Sequence, residues 1–182
     1  EARIDGIDVA ADPLAARRGI GVLAHAAGLY PPLTGRENIL YFGELHGLSR
    51  PDRERRADAL IEMLDMGDCA TRRAKGFSQG QRLKTALARA LVHSPRNIVL
   101  DEPTNGLDVL ATRALREALR HLRTPEGGGK CIIFSTHIMQ EVERLCDSVA
   151  VVAQGRTVAQ GTVPELLAQS GQRDFEEAFV RL

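Results

Sequence analysis

No apolar run in this 182-residue sequence approaches the ~20 residues needed to cross a bilayer. Any membrane partner is therefore expected to be a separate chain or segment. Nor is there a surplus of charge: 24 basic and 24 acidic residues cancel. Without a strongly basic face, direct nucleic-acid binding is disfavoured. Cysteine is scarce, with three residues and no CxxC spacing, so no disulfide framework is indicated. Cys131 and Cys146 lie in apolar patterns and are expected to be reduced core thiols of a cytosolic protein. Internal repeats, low-complexity tracts and heptads are also missing. What remains is a chain long enough for a proper core, as one domain or a domain with a small lobe.

Against these absences stands the stretch from Lys75 to Asp108, KGFSQGQRLKTALARALVHSPRNIVLDEPTNGLD. Asn97 to Leu100 is a short apolar run after Pro95, which suits a strand buried on both faces of a parallel sheet. It ends in two carboxylates, Asp101 and Glu102, followed by Pro103. Ligand chemistry in open α/β sheets gathers at the carboxyl ends of strands. Adjacent acids repel and are costly to desolvate. A bound Mg²⁺ would resolve the first charge, and accepting a proton during attack on phosphate would give the second a purpose. Standing alone, the pair would read as a solvated acidic turn. Upstream, Phe77-Ser78-Gln79-Gly80-Gln81 opens a helix whose Leu83, Ala86, Leu87, Ala90 and Leu91 share one face. Its start is either an anion site for phosphate or an ordinary N-cap. Downstream, Asn105-Gly106-Leu107-Asp108 turns the chain into another helix.

In this order and spacing the pieces resemble the ATP-binding cassette (ABC) ATPases. FSQGQ is similar to the signature usually written LSGGQ, and IVLDEP to the strand that ends in a magnesium Asp and a catalytic Glu. NGLD resembles the D-loop, and Ser135-Thr136-His137 after Cys131 to Phe134 resembles the switch histidine. The resemblance implies a P-loop NTPase fold: an α/β core of mainly parallel strands in three layers with right-handed crossovers. It places a helical lobe at about 30–90, the core at 1–29 and 91–165, and terminal helices within 163–182 of a single partial domain. It implies cleavage of ATP by water, with Mg²⁺ held through Asp101 and water oriented or deprotonated by Glu102. His137 would contact the γ-phosphate, and Asp108, with Asn105, Gly106 and Leu107, would link paired sites. Phe77, Ser78, Gln79, Gly80 and Gln81 would cap ATP held by a second ABC ATPase domain in a head-to-tail dimer. Phe77 and Gln79 depart from LSGGQ; the glutamine removes one flexible glycine and keeps the helix-start geometry. GLYPPLTGRENI and YFGELHGL look most like exporter subunits. That implies a transmembrane permease subunit as partner and a cytoplasmic place at the inner face of the membrane. The alternatives are a soluble ABC ATPase acting on ribosomes or in DNA repair, and a non-catalytic fragment binding through its helical lobe. The span from His25 to Phe77 is short and lacks heptads, which argues against the DNA-repair type.

A G-x-x-x-x-G-K-[ST] loop, the usual backbone cradle for β- and γ-phosphates, does not occur in the sequence. In the family it precedes the segment that Arg3–Val9 resembles. The sequence is thus expected to be the later part of such a domain, with roughly 45–60 residues missing upstream. Alone it is expected neither to hold ATP tightly in its own site nor to turn it over, while keeping the half-site offered in trans. Exposed apolar surface and association are expected to follow. His25 stands at the Q-loop glutamine's position, where imidazole either ligates and titrates near neutrality or merely spaces the loop. Elsewhere the residues predict a hairpin over 3–9, a strand at 20–23 and a Thr34–Glu37 capping box before a helix to about Gly47. A helix over 52–65 is expected to present Arg53, Arg55 and Arg56 to solvent. An amphipathic helix runs over 108–123, a strand over 131–134, and a further helix carries Met139, Val142, Leu145 and Cys146. A hairpin turns at Gln154-Gly155, and a last helix docks Phe175, Ala178 and Phe179. Tyr30 reads as packing or as a partner contact.

Overall fold

Three short apolar segments build a parallel sheet because each of the first two is followed by a helical crossover long enough to bring the next strand in alongside it. The computed structural model describes residues 1–24 and 28–182; the Q-loop position, His25, lies outside them. The chain divides into two compact units, Glu1–Ser135 and Thr136–Leu182.

The first unit opens with the expected hairpin, β1 (Arg3–Ile4) and β2 (Ile7–Asp8), turned at Asp5-Gly6. A helix that the pattern reading passed over follows, α1 (Pro13–Arg18), capped by Asp12 with proline in its first turn. The sheet has the order β3 (Ile20–Leu23), β4 (Asn97–Asp101), β5 (Cys131–Ser135), with β4 central and both pairings parallel. Between β3 and β4 come α2 (Gly35–Leu45), α3 (Arg50–Met63), a short 3-10 turn at Ala74–Gly76 and α4 (Gln79–Leu91). The capping box at Thr34 and Glu37 forms. α3 begins two residues earlier than predicted, behind Ser49. Arg53 is not simply solvated: it reaches back to Glu44 of α2 at 2.8 Å. α5 (Val109–Arg123) links β4 to β5 and buries Leu115, Leu119 and Leu122, as its spacing predicts.

Two expectations about the sheet fail for one reason. Ile98 and Leu100 of β4 are buried together with Leu23 of β3, and α4 presses on this side so closely that Gly21 meets the Ala90 carbonyl. The opposite face carries Val22, Val99 and Ile133 in one cross-strand row. Val22 is 49% and Ile133 64% exposed. β4 is therefore not buried on both sides, and the described residues of this unit form two layers, not three. Cys131 shares the open face and is exposed, which corrects its reading as a core thiol; Cys146 is half-buried, and only Cys69 is fully buried.

The second unit comprises α6 (Met139–Leu145), the antiparallel hairpin β6 (Val149–Ala153) and β7 (Arg156–Gly161), α7 (Val163–Ser170) and α8 (Phe175–Arg181). Its own core joins Val142, Val151, Ala159, Leu166, Phe175 and Ala178. Phe179, expected to dock, is 42% exposed, one position beyond the buried Ala178 stripe.

Candidate functional site

β4 delivers Asp101 as its last residue, at the carboxyl end of the central strand. The next residue, Glu102, has φ +46, in the left-handed region that a non-glycine residue enters at a cost of about 1–3 kcal/mol. Neighbouring groups hold it there. The Glu102 N–H donates to both the carbonyl (3.2 Å) and the Oγ (3.0 Å) of Ser135, at the end of the adjacent strand. The Ser135 hydroxyl in turn donates to Asp101 Oδ1 at 2.8 Å. One serine thus bonds both acids, the first at its carboxyl and the second at its backbone N–H. Sequence reasoning missed this role; its signal was the position of Ser135 directly before Thr136-His137.

The turn after the acids completes the carboxylate's surroundings. Asn105 donates its N–H to the Glu102 carbonyl (3.1 Å) and its Nδ2 to Glu102 Oε2 (3.0 Å). Gly106 takes φ +70, and Leu107 N–H returns to the Thr104 carbonyl at 3.2 Å. Asp108 then caps α5, accepting from the Ala111 N–H at 2.8 Å.

Ser78 forms a full capping box with Gln81: its Oγ accepts from the Gln81 N–H at 3.2 Å, and Gln81 Oε1 accepts from the Ser78 N–H at 3.0 Å. The ordinary N-cap is therefore present. The other first-turn N–H groups have no intrahelical acceptor, and they carry the positive end of the helix dipole. Gln81 Nε2 also donates to Asp68, and this bond leads in holding the Asp68 carboxyl below the usual carboxylate range. Phe77 is buried and anchors the start of the helix.

A cleft of about 750 Å³ brings these pieces together, lined among others by Lys75, Phe77, Gln79, Asp101, Glu102 and Asn105. Phe77 and Gln79 of the signature stretch, the paired acids and the following turn, separate in sequence, line one cleft. Lys75 adds a cation that the motif reading had left unassigned. His137 belongs to the second unit, where Thr136 Oγ1 accepts from the Ile138 N–H at 3.0 Å just ahead of α6.

The ABC transporter family model matches residues 1–105, more than half of the chain. The chain belongs to the ABC transporter family. Among ABC proteins it is 39% identical over 178 residues to the ABC transporter ATP-binding protein NatA of Bacillus subtilis, covering 97% of this chain and 71% of that protein. It is 37% identical to the daunorubicin resistance ATP-binding protein DrrA3 of Streptomyces coeruleorubidus, over 92% of this chain and 52% of the relative. It is 38% identical to a Nod factor export ATP-binding protein of Rhizobium etli, over 89% of this chain and 50% of the relative. The chain thus spans about half the length of the second and third of these. A solved ATP-binding subunit of an ABC transporter superposes with a TM-score of 0.84 at 31% identity, covering 97% of this chain and 73% of that one. A dimeric ATP-binding cassette in a post-hydrolysis state with ADP and Pi superposes with a TM-score of 0.73 at 26% identity, covering 87% and 71%. The fold is accordingly the α/β P-loop NTPase core of an ABC ATPase, with its parallel sheet and helices. No helix among the described residues is long and apolar enough to cross a membrane.

Proposed function

We propose that this chain is the ATP-hydrolysing part of a membrane exporter, working as a head-to-tail pair with a second ABC ATPase domain and driving a separate transmembrane permease from the inner face of the membrane. The observation that carries this reading is the shared cleft of Asp101, Glu102, Asn105 and Gln79. The relatives named for Nod factor export and daunorubicin resistance support the exporter direction.

Phosphoryl transfer to water asks for positioning and charge neutralisation more than for covalent chemistry. Glu102 supplies a carboxylate whose backbone is pinned by Ser135 and whose Oε2 accepts from Asn105; it orients the attacking water and takes its proton. Asp101, on the same serine, would hold Mg²⁺. The donor set fits, because Mg²⁺ is usually bound by one or two carboxylates plus phosphates and waters. No group of three or more metal-ligating side chains occurs among the described residues. When bound, the ion supplies neutralisation of phosphate charge. His137 contacts the γ-phosphate, and Asp108 with the 105–107 turn links the paired sites. Phe77 to Gln81 close over the partner's ATP, with the helix dipole favouring its negative charge. The helices of about 30–90 act as a lobe carrying this signature, against a core of 1–29 and 91–165.

The test is nucleotide binding and turnover by the native protein that carries these residues, beside its Glu102→Gln variant. Hydrolysis should fall by about 10²-fold or more while Mg-ATP binding persists. A variant that hydrolyses at the wild-type rate would remove Glu102 from the chemistry.

A further inference from the structure

We propose that Gln79 is a positioning residue, whose side-chain amide clasps the turn after Glu102 and ties the signature to the catalytic carboxylate within one subunit. Gln79 Nε2 donates to the Asn105 carbonyl at 2.8 Å, across 26 positions of sequence. The seat for this amide is Gly106. A Cβ built there would lie 2.4 Å from Gln79 Nε2 and 2.9 Å from both its Cδ and Oε1. The left-handed φ of Gly106 and its missing side chain therefore serve the same contact. From Asn105 the line continues directly: its Nδ2 donates to Glu102 Oε2 at 3.0 Å, and its N–H to the Glu102 carbonyl at 3.1 Å.

Two side-chain hydrogen bonds thus run from the first residue of α4 to the carboxylate. Ser135 pins the Glu102 backbone from the strand side, and the clasp holds the turn from the other. The glycine that LSGGQ places at this position has no donor with which to make the bond. The consequence for mechanism, which rests on the ATPase reading above, is that a shift at the start of α4 is felt at Glu102 of the same chain. The clasp itself does not depend on that reading.

The experiment uses the native protein with Gln79→Gly, Gln79→Glu and Asn105→Ala, first without nucleotide. Amide hydrogen exchange at Asn105 and Leu107 should run about three- to tenfold faster in Gln79→Gly, while the interior amides of α4 keep their protection. In Gln79→Glu the carboxylate faces a carbonyl at neutral pH. Protection should return as the pH falls through the carboxyl range, when its O–H can donate; the wild type should show no such step. Unchanged exchange at Asn105 and Leu107 in Gln79→Gly would overturn the clasp. In turnover, Gln79→Gly should lower kcat with little change in KM, and adding Asn105→Ala should slow it no further, because both act through one line. Additive losses, or an effect confined to KM, would overturn the relay and leave Gln79 a nucleotide cap only. Should the wild-type protein hydrolyse no ATP, the ATPase reading fails, and the exchange measurement still decides the clasp.

Discussion

Cys69 and Cys131 carry the same thiol in opposite settings. Cys69 is fully buried in the turn that follows α3, and burial, aided by the neighbouring Asp68, pushes its thiol up to about 11. Cys131 is exposed on the open face of the sheet. Thiolate is the reactive form, so an alkylating reagent at neutral pH should label Cys131 in the folded protein and Cys69 only on unfolding. Peptide mapping of a timed reaction checks this. His93 offers a titration of the opposite kind. Its ring stacks on His46 with centroids 3.6 Å apart, and its Nε2 lies 3.1 Å from the Ile20 carbonyl. Burial first, then the His46 ring, lowers it from 6.5 to about 4. Above the higher value both folded and unfolded chains keep it neutral. As the pH falls below that value the unfolded chain takes up a proton that the folded one refuses, so stability declines until the lower value is reached. The full shift would correspond to about 3 kcal/mol, and solvent screening of the half-buried ring reduces the expected loss to about 1–2 kcal/mol. Urea unfolding across this window should show the slope, and His93→Gln should flatten it.

Among the elements, α4 lies tightly against β3 at Gly21. A Cβ on Gly21 would lie 2.4 Å from the Ala90 carbonyl and 2.9 Å from Pro95 Cγ. The first of these is backbone and cannot swing aside. Gly21→Ala should destabilise the first unit by about 1–3 kcal/mol or more, read as a lowered denaturation midpoint. Nothing in the sequence around Gly21 announces this contact. The capping of α2, by contrast, could be read directly, because Thr34 and Glu37 are three positions apart and satisfy each other locally; at α4 the pattern leaves both an anion site and an N-cap open, and the structure adds the reciprocal box of Ser78 and Gln81. The stripe of α5 was legible for the same reason. The covered face of the sheet was not: Ile-Val-Leu and Cys-Ile-Ile-Phe are apolar on both sides, so alternation is silent and the packing element decides. In the site, the acids and the signature were legible as motifs. Their fastening by Ser135 and Gln79 was not, since those contacts join residues 26 to 34 positions apart.

At the scale of the molecule, each compact unit carries its own apolar centre. In Thr136–Leu182 that centre turns on Phe175 and Leu166, 1% and 0% exposed. Phe175→Ala should cost about 3–5 kcal/mol, and the resulting loss of exchange protection should be concentrated in that unit. The first unit has a different exposure in time. Asn97 bonds the Gly19 carbonyl across 78 positions, and the whole run from α2 to α4 is made between the strands it joins. At a synthesis rate of about 5–20 residues per second, β3 waits roughly four to sixteen seconds on the ribosome before the strand that pairs with it has even been translated. Slowing translation through that interval should therefore lower the yield of native protein, which expression with synonymous rare codons between β3 and β4 would measure.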